Sequence, residues 1–270
     1  MNDSTIPKFL VIVGGISFGT AAIFIKLCDF TPAAIAFFRF FIAGLILAPL
    51  GLNLKDIPKT MLPGFLLVLH MLLFIESLYY TTVNDSTVLV STTPIFILII
   101  SLLTRKKVPL TDIIFISIAL GGIVLLNYPF VIKYVLGNVL AILSALVMAF
   151  YTLALRRYNY KNPLELTSSI YLSASIFLAP VVIITGIGNI NLRSIEAISG
   201  LIFIPTIVGH GSYIYISNKL RPQIVSLMEI LEPVVATILA IPIFEQIPTI
   251  YQIIGSIIVL ASLAYLLYYS

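Results

Sequence analysis

The chain has no tryptophan, a single cysteine, two histidines and only 10 % charged residues among its 270. The lone cysteine, Cys28, excludes an internal disulfide and a thiolate metal cluster. Soluble domains carry about 25 % charge, so the shortage here excludes an ordinary water-soluble fold. No Gly-rich phosphate loop, Ser-His-Asp set or His/Glu metal spacing is legible, so no cofactor and no metal are expected. The first apolar run has no small-residue cleavage site, and Lys26 argues against reading Ile25-Lys26-Leu27-Cys28 as a lipidation box. That run is read as a retained helix rather than a signal peptide.

What is abundant is apolar: 60 % of residues are hydrophobic and the mean hydropathy is +1.14. A net charge of +4 would suggest nucleic acid in a soluble chain. Here the basic residues fall in short loops between apolar runs, where they report membrane orientation instead. A spanning helix needs about 20 apolar residues. Ten such runs can be laid out, at 8–28, 33–52, 60–80, 86–104, 111–130, 135–156, 164–187, 197–217, 223–243 and 249–269. Turn-like breaks separate them, among them Asp29 to Pro32, Asn84-Asp85, Arg105 to Pro109, Asn159 to Pro163 and Arg221-Pro222.

Counting Lys and Arg loop by loop gives eleven on the side of the N-terminus and three (Lys26, Lys133 and Arg193) on the other. The positive-inside rule then puts both termini in the cytoplasm. Gly15 and Gly19 in the first run form a small-xxx-small pair suited to close helix packing.

The chain repeats itself. At an offset of 139, Pro94 falls on Pro233, Val108-Pro109 on Ile247-Pro248 and Thr87 on Ser226. At an offset of 131, Thr31-Pro32 falls on Asn162-Pro163 and Ala48-Pro49 on Ala179-Pro180. Val90 and Thr93 stand where the second half has Glu229 and Glu232. This reads as an all-α integral membrane protein built from two five-helix repeats, residues 1–130 and 131–270. An odd number of spans per repeat inverts the second half. Inverted repeats are the architecture of alternating-access carriers.

Six ionisable residues fall inside the expected spans: Arg39, His70, Glu76, His210, Glu229 and Glu232. Charge at membrane depth is costly, so each should face a partner or a watery cavity. Arg39 and Glu76 are expected in the outer third, either paired with each other for gating or separately reaching the outer surface. His70 and His210 come to similar depth in the two halves. They are read as cavity-lining, with Ser77 on the face of His70, and Tyr213 and Ser217 on that of His210. Glu229 and Glu232 either exchange protons in a transport cycle or lock the ninth helix at Pro233. Pro233 frees a carbonyl one turn back and is expected to break its helix, as is Pro94.

These residues resemble a known family. The tandem duplication, Arg39-Phe40-Phe41, and the stretch Leu220 to Gly255 with Ser226, Leu227, Glu232-Pro233, Glu245 and Gln252 are similar to the drug/metabolite transporter superfamily, specifically EamA-type ten-helix transporters. The resemblance implies an inner-membrane permease with a central cavity between the repeats, usually exporting small metabolites such as amino acids. His70 matches the position of a cavity histidine in the family's aromatic amino-acid exporters. Two departures concern substrate: Phe18-Gly19 replaces the usual Trp-Gly, and Lys106-Lys107 replaces an acidic residue after the fourth helix.

The expectation is therefore a multi-pass permease of the cell membrane, monomeric, not an enzyme, with the bilayer and a small-molecule substrate as its only partners. The alternatives are uptake or exchange of an anionic solute with Arg39 as counter-charge and, from another class, a multispan enzyme acting on lipids. The enzyme should gather its catalytic residues in a long loop at one face, and no such loop exists here.

Overall fold

The computed structural model describes residues 5–126, 128, 134–158, 162–244 and 247–269. Glu245, Lys133 and Lys161 lie outside these described residues. Every element among them is helical, apart from a single two-residue bridge between Phe30 and Gly188. Backbone N–H and C=O groups find no water in hydrocarbon, so an apolar chain of this kind pairs them within its own helices.

In chain order the helices are α1 (Thr5–Phe18), α2 (Ala21–Leu27), α3 (Pro32–Leu47), α4 (Met61–Tyr80), α5 (Val83–Val90), α6 (Thr93–Leu103) and α7 (Leu110–Leu126). There follow α8 (Val135–Leu155), α9 (Pro163–Thr185) and α10 (Leu192–Leu201), then a π-helical stretch Ile202–His210 that leads into α11 (Gly211–Ile216). The last three are α12 (Pro222–Val225), α13 (Leu227–Phe244) and α14 (Ile250–Tyr269). Nine helical stretches among the described residues are long and apolar enough to cross a bilayer, and α7 is a shorter apolar helix.

Helix starts follow local chemistry. Thr31 and Asn162 accept from the N–H of Ala34 and Leu164, with Pro32 and Pro163 in the first turn of α3 and α9. A capping oxygen satisfies an orphan donor, and proline there loses no bond. Thr82 caps α5 through Asp85 N–H at 3.0 Å, so Asn84-Asp85 is the first turn of a helix rather than the expected loop. Lys26, expected in an outer loop, lies in the last turn of α2 and donates to the Leu78 carbonyl.

Gly14, Gly15 and Gly19 bring α1 tightly onto α13. A Cβ at Gly15 would lie 2.5 Å from Leu231 Cδ1, and one at Gly19 2.4 Å from Val235 Cβ. Small residues let helices approach without the hydrophobic drive that operates in water. Helices matched by the two sequence offsets exchange their main contacts. The packing of α4 on α8 has its counterpart in α1 on the π-helical stretch and α11, and α1 on α13 in α8 on α5 and α6. The pairs α3–α9 and α7–α14 map onto themselves.

Candidate functional site

Several spans are interrupted, and a proline stands in or close to two of the interruptions, at Pro94 and Pro205. Proline has no N–H, so the carbonyl four residues back loses its helical donor. Pro205 lies inside the π-helical stretch, and the hydroxyl of the next residue, Thr206, donates to Leu201 O at 2.6 Å. Pro94 opens α6 and deprives Val90 O; Thr93 Oγ1 donates to it at 2.9 Å. Pro233 deprives Glu229 O, and Ser91 Oγ, from the other half of the chain, stands 2.7 Å from it and 2.7 Å from Thr87 O, so that its one proton is shared between the two carbonyls.

Pro233 does not break its helix. The backbone runs through it as part of α13, and the interruption falls earlier, at Ser226 between α12 and α13. The freed carbonyl is satisfied from outside, so the helix continues. In the first half the interruption at Ser91-Thr92 immediately precedes Pro94.

Between these points lies a small cavity of about 20 Å³ lined by buried residues, room for roughly one water molecule. Arg39, His70, His210, Glu229 and Glu232 line it together with Phe18, Met71, Phe74, Val90 and Met148. All five ionisable groups are buried. Five of the six residues expected at membrane depth thus converge on one point.

Arg39 overturns the expected pairing with Glu76. Its Nε donates to Thr206 Oγ1 at 2.9 Å and its Nη1 to Met71 Sδ at 3.1 Å. Thr206 therefore takes the guanidinium proton while giving its own to Leu201 O. Tyr171 Oη fixes the same residue by donating to Thr206 O at 2.7 Å. Glu232 lines the same cavity as Arg39, and among the described residues no ion pair joins them. Glu76 is half-buried and lies six residues beyond His70, about 9 Å farther along α4.

The histidines differ in how they are held. Ser144 on α8 grips His70: its Oγ lies 2.8 Å from Nδ1 and donates to His70 O at 3.0 Å, and its carbonyl lies 3.1 Å from Nδ1. His210 packs against Phe18 with ring centroids 4.7 Å apart, and its buried Nδ1 has no hydrogen-bond partner. The two imidazoles stand 6.4 Å apart, edge to face.

The two acids are likewise only partly satisfied. Tyr213 Oη donates to Glu229 Oε1 at 3.1 Å, and Thr152 Oγ1 lies 2.5 Å from the same phenol oxygen. Among the described residues Glu229 Oε2 and Glu232 Oε1 are buried without a hydrogen-bond partner. An unsatisfied buried polar atom costs about 1–3 kcal/mol, and where such atoms face one cavity they are the groups a polar solute would satisfy. Tyr213 supports Glu229 from behind rather than lining the space. Ser77 is away from it, donating to Phe74 O at 2.7 Å and touching Ser86. Among the described residues no three His, Cys, Asp or Glu side chains converge as metal ligands.

Thr206, Ser144 and Ser91 hold this site and escaped the reading of the sequence. The available signal was a hydroxyl residue beside a proline within an apolar run, present in Thr93-Pro94 and Pro205-Thr206. Nothing local marks Ser144 or Ser91.

The model of the EamA-like transporter family matches the chain twice, over residues 5–128 and 135–268. The chain belongs to this family. It is 28 % identical over 241 residues to a protein of Archaeoglobus fulgidus described as an uncharacterized transporter, covering 85 % of this chain and 86 % of that one. A second transporter of the same organism, described in the same words, is 25 % identical over 264 residues, covering 88 % and 89 %. A crystal structure at 15 % identity superposes with a TM-score of 0.80 over 96 % of both chains, which speaks for the fold alone. The protein is a multi-pass membrane protein of a transporter family.

Proposed function

We propose that this EamA-family protein is a secondary carrier for small organic metabolites, amino acids or close relatives, working by alternating access. The observation that carries the reading is the convergence of these groups on one buried point. One cation, two imidazoles and two incompletely hydrogen-bonded carboxyls share it with Phe18 and Phe74. A solute bearing both a carboxylate and an ammonium group matches Arg39 on one side and Glu229 or Glu232 on the other, with its apolar part against the rings.

Two inverted five-helix repeats, residues 1–130 and 131–270, supply the motion. The reading counts α7 as a tenth span; its 17 residues reach about 26 Å. Exchange of helix contacts between the halves and the double family match support it. A site between inverted repeats can open to either face by rocking one half on the other. With both termini cytoplasmic by the distribution of Lys and Arg, the carrier sits in the cell membrane and acts as an exporter. Glu229 and Glu232 are the groups through which a proton gradient would drive it.

The test is counterflow in proteoliposomes with a panel of labelled amino acids, comparing wild type with His70→Ala. Saturable exchange impaired in the variant is expected. Saturable exchange indifferent to His70→Ala would return His70 to packing, and exchange of no amino acid would overturn the substrate class. A second reading rests on Arg39, whose direct partners, Thr206 and Met71, are neutral. Its guanidinium is free to take an anionic solute, and counterflow of dicarboxylates but not amino acids would favour that carrier.

A further inference from the structure

A second cavity opens at one end of the bundle, apart from the central one. It is a groove of about 590 Å³ lined by Leu62 and Leu66 of α4, Ile100 of α6, and Phe150, Leu153 and Ala154 of α8. Thr104, Lys106, Arg156 and Arg157 complete its lining. The first turns of α4 and the last turns of α6 and α8 meet there, so the groove sits where helices leave the bilayer. Leu62 is 48 % and Phe150 46 % exposed, so its apolar wall faces outward toward lipid.

The cations at its mouth are unevenly engaged. Arg156 Nη1 donates to the carbonyls of Leu220 at 2.7 Å and Ser217 at 3.3 Å, which holds its guanidinium at the rim. Lys106 and Arg157 are exposed and make no ion pair among the described residues. No acidic residue lines the groove. Like charges gathered without a counter-charge repel, and a basic pocket between spanning helices on the headgroup level suits an anionic lipid.

We infer that this groove is a binding site for one phospholipid with an anionic headgroup, its phosphate held by Lys106, Arg156 and Arg157 and an acyl chain laid along Leu62, Leu66, Ile100 and Phe150. Positive charge in the other loops of this face only orients the chain. Here the cations stand over an apolar groove open to the bilayer, which is what a lipid needs and a free phosphate does not.

The absence of tryptophan makes the test direct. Leu62→Trp places one fluorophore in the groove, and Ile257→Trp places one on the 61 % exposed lipid face of α14. Each is reconstituted with mixtures containing brominated phosphatidylglycerol or brominated phosphatidylcholine. Each cation near the headgroup is worth roughly a fivefold preference. The anionic-over-zwitterionic quenching ratio at Leu62→Trp should therefore exceed that at Ile257→Trp by at least about fivefold. Adding Lys106→Ala and Arg157→Ala should lower it to what Arg156 alone supports. Equal ratios at the two positions, or a preference undiminished by the double substitution, would overturn the site. Loss of the preference on adding inorganic phosphate at constant ionic strength would show that the groove takes phosphate rather than lipid. Phe150→Trp replaces Leu62→Trp if the latter does not fold.

Discussion

Pro94 and Pro233 occupy equivalent places in the two halves and deprive equivalent carbonyls, Val90 O and Glu229 O. The first half repairs itself locally, since Thr93 stands next to the proline and its hydroxyl reaches Val90 O at 2.9 Å. In the second half the position of Thr93 is taken by Glu232, which faces the cavity. Its carbonyl is repaired at 2.7 Å by Ser91, across the interface between the halves. With an acid in place of the hydroxyl, the repair of α13 comes from Ser91, just after α5. The histidines diverge in the same way: Ser144 clamps His70, whereas His210 Nδ1 is left without a partner at the end of a π-helical stretch. One half is braced and the other carries the unsatisfied groups. A π-helical stretch is commonly found where function requires such an irregularity.

The difference can be broken most severely at the contact between α1 and α13. Gly15→Leu would force atoms into Leu231 and toward Met228 O, only 3.1 Å from the added Cβ. Folded protein recovered by size exclusion should fall to near zero, while the same change at Gly121, with nothing within 4 Å, should be tolerated. Thr206→Val comes next, since it removes the acceptor of Arg39 Nε together with the hydroxyl bond to Leu201 O. It should destabilise the protein by about 2–4 kcal/mol in SDS titration and abolish counterflow, whereas Thr206→Ser should restore both.

A double-mutant cycle addresses the prolines themselves. Ser91→Ala alone should cost about 1–2 kcal/mol. In a Pro233→Ala background it should cost less, because residue 233 then donates to Glu229 O; a coupling of about 1 kcal/mol is expected. Thr93→Val and Pro94→Ala should couple similarly within the first half. If Ser91 and Pro233 prove additive, the carbonyl repair across the halves is wrong. The smallest effect on stability separates the histidines. Ser144→Ala should lower stability by about 1 kcal/mol, while His210→Ala should leave the unfolding midpoint within error and slow exchange.

Much of the site could be read in advance, but its pairings could not. Arg39, His70, His210, Glu229 and Glu232 stood out because charge is rare in apolar runs. Arg39 and Glu76 are equally deep when counted inward from the same surface, which makes a pair one of two readings. That count fixes depth along each helix and says nothing of which face a side chain presents or which helix it meets. Thr206 is 167 residues from Arg39 in the chain. Pro233 was expected to break α13, and only the position of Ser91 shows why it does not.

Spans and membrane class follow from sequence because each is a local property: a run of about 20 apolar residues must close its own hydrogen bonds in hydrocarbon. The duplication is equally local, a comparison of the chain with itself. That Ser91 reaches Glu229 O, that Thr206 meets Arg39, and that five scattered ionisable groups share one buried space were decided by tertiary packing. Those contacts join helices far apart in the chain, and their geometry exists only once α1, α3, α4, the π-helical stretch and α13 have met.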